Sequence, residues 1–283
     1  MLRIVIYSSF YAPIYLLTVR EEGDAMDCDL TGKTALVSGS GRGMGRASAE
    51  ELARNGADVV VNDVDEAVAN ETAADVRDLG VDAIGVPADV SDEAEVAAMI
   101  ETATDELGSV DILVNNAGVG DAGPFLDEEY DGTFELNLDV HLHGALNCTR
   151  EVVDGMVEQG YGKIINFTSI HTKNGVGMSP AYDVAKYSLL GLTKSLALEL
   201  GREGIRVNAV APGWANTRLT EGFSDAVTEQ ILDNNPLGRF AEPEEVADAI
   251  AFLAAPASDY INGHELRVDG GQVPIDSWRL DSR

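Results

Sequence analysis

Basic residues are scarce in this chain of 283 residues, in which 19 Lys and Arg stand against 49 Asp and Glu and give a formal net charge of -30. Only 5 of the 19 are lysines. A charge this negative is repelled by nucleic-acid backbones and by anionic membrane surfaces, so we expect neither as a partner. The acid-rich, lysine-poor composition predicts a halophilic protein, because salt screens self-repulsion and carboxylates hold water. An ordinary acidic protein is the alternative, and in both cases we expect a cytoplasmic location.

Cysteine is also nearly absent. Cys28 and Cys148 are the only two and no CxxC pair occurs, which excludes a disulfide framework and a cysteine-rich zinc site. The four histidines are spaced wrongly for zinc: His141 and His143 lie about 200° apart on a predicted helix, and His264 has no partner nearby. We therefore expect no metal. His171 is predicted to lie on a surface loop, with a pocket-lining position as the alternative.

The first twenty residues contain no Asp or Glu, and from Leu2 to Val19 they form a largely apolar run. A membrane-spanning helix needs roughly 20 such residues, but an arginine, two serines and a proline interrupt the run and no A-x-A cleavage site follows. Residues 1–25 are therefore predicted to be a disordered leader or a mis-assigned start, with a signal peptide or anchor as the alternative. Residues 26–283 are predicted to form a single domain.

From Lys33 onward, short β-branched runs alternate with stretches of helical spacing. The segment 91–108 is an example of the latter, with Ser91 as the expected N-cap and Gly108 at its end. This alternation predicts an α/β fold: a doubly wound, Rossmann-type parallel sheet of about seven strands with helices on both faces. The expected strands are TALVS (34–38), ADVVVN (57–62), VDAIGV (81–86), DILVNN (111–116), KIINFT (163–168), IRVNAV (205–210) and HELRVD (264–269).

The first strand runs into a glycine-rich turn, SGSGRGMG (38–45). Glycines let the backbone turn tightly and approach a pyrophosphate, while the N-terminus of the following helix offers free N–H groups and the positive end of its dipole. The spacing is G-x3-G-x-G instead of G-x-G-x-x-G, so a plain turn is the alternative. The candidate cofactor-binding residues here are Gly39, Gly41, Arg42, Gly43, Met44 and Gly45.

Asp63 ends the second strand, 20 residues after Gly43. A carboxylate at this position accepts hydrogen bonds from the adenosine ribose and repels a 2′-phosphate. Arg42 favours the opposite cofactor, since a guanidinium beside the ribose holds a 2′-phosphate, unless it is a solvated turn residue. Because an ionised carboxylate actively excludes the phosphate, we predict NAD as the cofactor, with NADP as the alternative.

A second site follows the fifth strand, where Ser169 is succeeded by Tyr182 and, four residues later, Lys186. This spacing places the phenol and the ammonium on one helix face. A fixed cation favours the phenolate, so we expect it to lower the pKa of Tyr182 from about 10 toward the working pH. Tyr182 would then act as general acid in carbonyl reduction and general base in alcohol oxidation, with Ser169 on the carbonyl oxygen. Simple packing on a helix surface is the alternative.

Together these motifs resemble those of the short-chain dehydrogenase/reductase family over residues 30–272. The glycine turn resembles the family's T-G-x3-G-x-G loop, with Ser38 in place of Thr. Ser169, Tyr182 and Lys186 fall on its Ser and Y-x3-K positions. The remaining matches are Asn115-Asn116-Ala117-Gly118 to NNAG, Pro212-Gly213 through Thr217 to PG-x3-T, and Val268-Asp269-Gly270-Gly271 to VDGG.

The resemblance implies a dinucleotide-binding catalytic domain that transfers a hydride between NAD(P) and a secondary alcohol or ketone, with Tyr182 as general acid/base. It implies that Lys186 binds the nicotinamide ribose and that Asn137, in ELNLD, completes the catalytic set by holding a water that links Lys186 to solvent. Thr217 would contact the nicotinamide carboxamide, unless it only caps the next helix. Asp89 and Val90 would flank the adenine, unless they only form a turn. The other implied cofactor contacts are Asn116, Ala117, Gly118, Pro212 and Gly213; the asparagines alternatively only stabilise the strand end.

The substrate is expected to be a small molecule, with the 3-oxoacyl reductase and the sugar or polyol dehydrogenase branches both open. Arg218 would meet an anionic substrate or merely balance Glu221. A non-catalytic NAD-binding regulator or scaffold is the alternative function, and an epimerase or dehydratase is a third. The family resemblance further implies a homotetramer built through helices at about 130–158 and 181–202 and through the C-terminal strand.

Overall fold

The computed structural model describes residues 27–120, 125–126, 130–173, 175 and 179–273. The predicted leader, residues 1–25, lies outside this part of the chain, as do the end of the C-terminal tail and parts of the segments 121–129 and 174–178. The prediction for the leader therefore stays a prediction.

Seven strands form one sheet in the order β3-β2-β1-β4-β5-β6-β7, and each neighbouring pair is parallel. The predicted seven-stranded parallel sheet is confirmed. The strands are β1 (Thr34–Val37), β2 (Asp58–Asp63), β3 (Ala83–Pro87), β4 (Ile112–Asn115), β5 (Gly162–Phe167), β6 (Ile205–Pro212) and β7 (Glu265–Val268).

Helices connect the strands, and a π-helical segment (Leu138–His143) joins the fourth helix to the fifth. Short 3-10 turns occur at Ile170–Thr172, Gly201–Glu203 and Pro256–Ser258. The α-helices in the described part of the chain are α1 (Gly43–Arg54), α2 (Glu66–Arg77), α3 (Glu93–Leu107), α4 (Tyr130–Asn137), α5 (Gly144–Gln159), α6 (Pro180–Leu200), α7 (Arg218–Glu221), α8 (Asp225–Asp233) and α9 (Pro243–Ala254). None of these helices is long and apolar enough to cross a membrane.

The sheet separates two hydrophobic cores. Val37 points into the core that contains Leu52 of α1 and Ile250 of α9. Its neighbour Leu36 points into the opposite core, beside Met99 of α3. Because successive strand residues face opposite sides, a strand buried on both faces must be apolar throughout, which is why the strands read as continuous hydrophobic runs. The doubly wound arrangement with helices on both faces is confirmed.

The helix starts differ from the sequence prediction in one place. Asp92 caps α3 by accepting hydrogen bonds from the backbone N–H groups of Ala94 (2.8 Å) and Glu95 (3.1 Å). The prediction that Ser91 is this N-cap is wrong, because its hydroxyl donates to the Asp89 carboxylate instead. The predicted end is confirmed at Gly108, which has a φ of 84°.

The strand order reverses between β1 and β4, which lie side by side although the chain passes through β2 and β3 between them. In doubly wound sheets this reversal opens a crevice beyond the carboxyl ends of the strands, where ligands bind. The glycine-rich turn follows β1, Asn116 follows β4 and Ser169 follows β5. The fold therefore brings the predicted cofactor and catalytic segments to one edge of the sheet.

Candidate active site

The glycine-rich turn is pressed against the segment that follows β4. A side chain at Gly39, which has a φ of +61°, would place its Cβ 2.8 Å from the Cα of Ala117. The Asn116 amide donates to the carbonyl oxygens of Ser38 (2.9 Å) and Gly39 (2.8 Å), and the Ser38 hydroxyl accepts from the backbone N–H groups of Asn116 and Ala117 (both 3.0 Å). Only glycine fits at this approach, and Ser38 supplies the hydroxyl that anchors the turn.

The N-terminus of α1 lacks the side-chain cap that α2 and α3 have. Arg42 occupies the N-cap position without a side-chain hydrogen bond, and the first turn contains no acidic residue. Asp65 and Asp92 cap α2 and α3. The first N–H groups of α1 thus keep no side-chain partner, and together with the glycine backbone they fit the pyrophosphate of a dinucleotide.

Asp63 lies beside the glycine turn at the end of β2. A Cβ at Gly41 would stand 2.5 Å from the Oδ2 atom of Asp63, so the carboxylate lies directly against the glycine turn. The Arg42 side chain is 51% exposed, and its guanidinium lies 3.9 Å from the carboxylate of Asp65. The carboxylate expected to bind the ribose is thus close to the turn, while Arg42 pairs with a different acidic residue.

Several other predicted cofactor residues have clear local roles. Asp89 accepts hydrogen bonds from the backbone and hydroxyl of Ser91 (2.9 and 2.7 Å), which is the turn given above as the alternative. Val90 is buried, and its carbonyl accepts from Asn147 (3.0 Å). Thr217 caps α7 in a capping box, again the alternative interpretation.

The loop after β6 nevertheless reaches the glycine turn. The methyl group of Thr217 lies 3.8 Å from the position of a Cβ on Gly43. Gly213, which follows Pro212 at the end of β6, donates from its backbone N–H to the carbonyl of Val268 (2.9 Å). Thr217 thus lies beside the glycine turn, while Gly213 is attached to the end of β7.

Ser169, Tyr182 and Lys186 are brought together by β5 and α6. The hydroxyl of Ser169 hydrogen-bonds the phenol of Tyr182. The Lys186 ammonium donates to the carbonyl of Phe167 at the end of β5 (2.8 Å) and lies 5.5 Å from the centroid of the Tyr182 ring. The geometry expected from the spacing is present.

The ionisation of this cluster differs from the sequence prediction. Lys186 is 4% exposed, and burial lowers its pKa to about 7. Burial raises the pKa of Tyr182, the hydrogen bond from Ser169 opposes this rise, and the charge of Asp183 adds to it. The expectation that Lys186 lowers the pKa of Tyr182 is therefore wrong. Desolvation disfavours the phenolate, and a lysine that itself gives up its proton near neutral pH supplies little charge to oppose this.

His171 is buried at the site, so the prediction of a surface loop position is wrong. Its Nδ1 atom lies 2.5 Å from the carboxylate of Asp183. Its ring stands edge-on to Tyr182 (5.1 Å between centroids) and to Trp214 (6.3 Å), which in turn packs against Phe223 (5.3 Å). A row of edge-on rings thus extends from Tyr182 through His171 and Trp214 to Phe223. The sequence signal was the acidic residue directly after the tyrosine.

Glu265 of β7 was missed by the sequence analysis. Its side chain is 4% exposed and pairs with Lys173 (2.7 Å). Its other oxygen accepts from the hydroxyls of Thr168 (2.8 Å) and Thr172 (2.7 Å). These three residues flank Ser169 and His171 on both sides, so Glu265 fixes the segment that carries them. No local sequence pattern predicts this contact, because Glu265 lies 97 residues after Thr168 in the chain.

The helical segment that precedes α5 contributes a histidine to the site. Asn137 is buried, and its amide donates to the carbonyl of Thr133 one turn earlier (2.8 Å). His141 is 3% exposed and stands edge-on to the Tyr182 ring (5.4 Å between centroids). Gly118 makes room for it, since a Cβ at Gly118 would overlap the imidazole.

In the part of the chain that the structure describes, no group of three or more His, Cys, Asp and Glu side chains is placed to hold a metal ion. His141 and His171 approach the same tyrosine ring from separate elements, and each is already engaged by an oxygen of the protein. The site is thus built from hydrogen-bonding and titratable side chains.

A family profile described as enoyl-(acyl carrier protein) reductase matches residues 39–272. The chain belongs to the short-chain dehydrogenase/reductase family. It is therefore an NAD(P)-dependent oxidoreductase that acts on CH–OH or ketone groups. The family assignment made from the glycine turn, the NNAG motif and the Ser-Tyr-Lys set is confirmed.

The relatives cover almost the whole described region. The chain is 40% identical over 243 residues to cis-4-hydroxycyclohexanecarboxylate dehydrogenase of Sinomonas cyclohexanicum, covering 86% of this chain and 97% of that protein. It is 38% identical to a 3-oxoacyl-(acyl-carrier-protein) reductase of Staphylococcus aureus, covering 84% and 97%. A crystal structure of gluconate 5-dehydrogenase from Burkholderia cenocepacia in complex with NADP and tartrate superposes with a TM-score of 0.83 at 36% identity, covering 87% of this chain and 97% of that one.

Burial of Lys186 predicts a pH-dependent contribution to the stability of this dehydrogenase. Between pH 7 and 10.5 the unfolded chain keeps the proton on Lys186 while the folded chain releases it, so raising the pH favours folding by up to about 1.4 kcal/mol per pH unit. We expect the stability of the wild type relative to Lys186→Met to increase from pH 7 to pH 9, measured by urea unfolding.

The matched control is Lys194→Met, because Lys194 lies two turns later on α6 and is exposed. Its stability difference from the wild type should stay flat over the same range. A wild-type advantage over Lys186→Met that stays constant or shrinks with rising pH contradicts the account.

Proposed function

We propose that this enzyme transfers a hydride between NAD and a secondary alcohol or ketone, with Tyr182 as the general acid/base. The observation that supports this most directly is the buried contact set of Ser169, Tyr182 and Lys186 at the carboxyl edge of the sheet. It lies at the edge where the glycine turn meets the segment after β4. One crevice thereby holds both a dinucleotide cradle and a proton-transferring group.

Each side chain has a distinct task in this proposal. In alcohol oxidation the substrate hydroxyl gives its proton to the Tyr182 phenolate, and Ser169 donates a hydrogen bond to the substrate oxygen. NAD, when bound, would supply the hydride acceptor, and the positive charge of its nicotinamide would favour the Tyr182 phenolate against the burial that raises the pKa of Tyr182. In this proposal Lys186 binds the nicotinamide ribose, and the loop with Pro212, Gly213 and Thr217 holds the carboxamide end, as the family resemblance implies.

We propose that the substrate lies against the rings of His171, Trp214 and Phe223, which extend from Tyr182. Aromatic rings offer an apolar wall, and the imidazole offers one polar group within it. The relatives named for a hydroxycyclohexane carboxylate, a 3-oxoacyl thioester and gluconate share a secondary alcohol or ketone on a molecule that also carries an acyl or carboxyl group. We propose the same substrate class here and use these three compounds as probes.

Replacing Tyr182 by Phe removes the proton-transferring oxygen and keeps the ring. We expect turnover of the best probe to fall by about 100-fold to 10,000-fold, while the affinity for NAD changes little. Nicotinamide absorbance gives turnover, and fluorescence titration gives the NAD affinity.

Tyr260→Phe is the control, since Tyr260 is fully exposed and lies outside the two helices α5 and α6 that are proposed below to form an interface. It should leave turnover unchanged. Full activity in Tyr182→Phe would overturn the mechanism. An inactive Tyr182→Phe that no longer binds NAD would show that the phenol has a structural role instead.

The proposed preference for NAD rests on the Asp63 carboxylate beside Gly41. We expect Asp63→Ala to reduce the preference for NAD over NADP, measured as the ratio of kcat/KM values, by about tenfold or more. The reason is that alanine, unlike the carboxylate, does not repel the 2′-phosphate of NADP. Asp63→Asn removes the charge and keeps the size of the side chain. Its NAD-to-NADP ratio of kcat/KM values should fall between those of the wild type and Asp63→Ala. A wild type that prefers NADP, or an Asp63→Ala variant with an unchanged ratio, contradicts this assignment.

We also propose the homotetramer expected of the family. Apolar side chains on α6 and α5 are exposed in the single chain, among them Val184, Tyr187, Leu198 and Val157. Leu196 and Leu200, by contrast, pack against the core that contains Leu36 and Met99. Part of the apolar surface of α6 thus packs within the fold, and the exposed apolar residues support an interface between copies.

The excess of acidic residues supports a protein adapted to concentrated salt in the cytoplasm. Because added salt screens repulsion among the carboxylates, we expect the unfolding temperature to rise as KCl increases from about 0.1 M to about 2 M. Differential scanning fluorimetry measures this directly. An unfolding temperature that is flat or falls over the range contradicts the halophilic proposal and favours an ordinary acidic protein.

A further inference from the structure

His141 enters the catalytic cluster from the π-helical segment. Extra-wide helical turns of this kind often occur at functional sites, and this one directs an imidazole against the edge of the Tyr182 ring. His141 is 3% exposed, and its imidazole occupies the space that the missing side chain of Gly118 leaves open. His143, two residues later on the same segment, is exposed and pairs with Asp139. The segment thus separates one buried imidazole from one solvated imidazole.

The hydrogen bonds of His141 define its tautomer. Its Nε2 atom lies 3.0 Å from the carbonyl oxygen of Val119. A carbonyl only accepts, so Nε2 carries the proton and Nδ1 presents a bare lone pair. Nδ1 is buried and has no hydrogen-bond partner within the described residues. Buried polar atoms normally have a hydrogen-bond partner in the protein or in ordered water. We therefore expect Nδ1 to accept a hydrogen bond from a water molecule.

The charge that acts on His141 is that of Lys186. Burial, and then the positive charge of Lys186, hold the pKa of His141 well below its usual value. The imidazole is therefore neutral, and its buried Nδ1 lone pair is an acceptor near Lys186. Tyr182 and Lys186, both on α6, are the titratable groups that face it from the packed element, while Asp139 and His143 of its own segment face solvent.

We propose that His141 is the positioning residue of the proton path in this dehydrogenase, the role that the family resemblance gave to Asn137. The Nδ1 lone pair accepts a hydrogen bond from a water that also contacts the Lys186 ammonium, and so connects the buried cluster to solvent. The inference rests on the proposed function of Tyr182.

The proton balance is simple. In alcohol oxidation the C–H bond of the substrate breaks and its hydride reduces NAD, while the substrate hydroxyl proton passes to Tyr182. That proton then leaves through Lys186 and the water to bulk solvent, which restores the phenolate. His141 keeps its Nε2 proton throughout, and it neither gains nor loses charge. Its contribution is a fixed acceptor.

Two substitutions separate this role from ring packing. His141→Phe keeps a ring against Tyr182 and removes the acceptor, whereas His141→Asn removes the ring and keeps a side-chain oxygen as acceptor. With the best of the three probes, we expect kcat of His141→Phe to fall about tenfold to 100-fold with KM and NAD affinity nearly unchanged. His141→Asn should keep most of the wild-type kcat, and the control His143→Asn should keep all of it.

The opposite pattern, an active His141→Phe with an inactive His141→Asn, would overturn the proposal and assign His141 to packing. Loss of kcat in Asn137→Ala together with an active His141→Phe would return the role to Asn137. If Tyr182→Phe is fully active, the proposed function fails first, and that result is distinguishable because it needs no variant of His141.

A measurement on the folded enzyme without substrate guards against variants that do not fold. The chain has four histidines, so their ¹⁵N resonances are easily resolved and His141 is assigned with His141→Asn or His141→Phe. We expect a neutral ring with the proton on Nε2 and a bare Nδ1 from about pH 6 to about pH 9. A charged ring, or a proton on Nδ1, would overturn the proposal because no acceptor would then face Lys186.

Discussion

The burial of one lysine is the constraint on which this active site depends. Lys186 is held between α6 and the end of β5 by the carbonyl of Phe167, and the surrounding side chains exclude water from it. Desolvation brings its pKa to about 7, so a small change in local charge decides whether the lysine is an ammonium. A residue that changes charge this readily suits a path along which a proton enters and leaves once per turnover.

The fold supports this cluster with polar contacts from distant parts of the chain. Glu265 of β7 fixes the threonines on either side of Ser169. Asn116 fixes the glycine turn from the other side of the crevice. Each of these side chains is buried or half-buried and hydrogen-bonded, as buried polar groups must be. The catalytic groups are consequently attached to rigid neighbours, and both halves of the crevice meet where the strand order reverses.

Features with a local physical cause were predictable from the sequence. Apolar strands, the glycine turn and the Tyr182–Lys186 spacing follow from covering both sheet faces, from backbone sterics and from helix geometry. Features that depend on contacts between distant segments could not be predicted. The hydrogen bonds of Glu265 to Thr168 and Thr172 need β7 in place, and the burial of His171 needs α6 with its Asp183. The direction of the shift in the pKa of Tyr182 could not be predicted either. The spacing reveals the nearby lysine, but it does not reveal how far burial removes water from the phenol.

The most direct test of this account is the titration of the lysines by NMR with ¹³C at the ε carbon. The chain contains five lysines, few enough to resolve each one, and Lys186→Met assigns the signal. We expect the Lys186 resonance to titrate near pH 7, as its pKa of about 7 requires, far below the roughly 10.4 of a solvated lysine. A Lys186 signal that titrates near the ordinary lysine value would contradict the claim that burial tunes this residue for proton transfer.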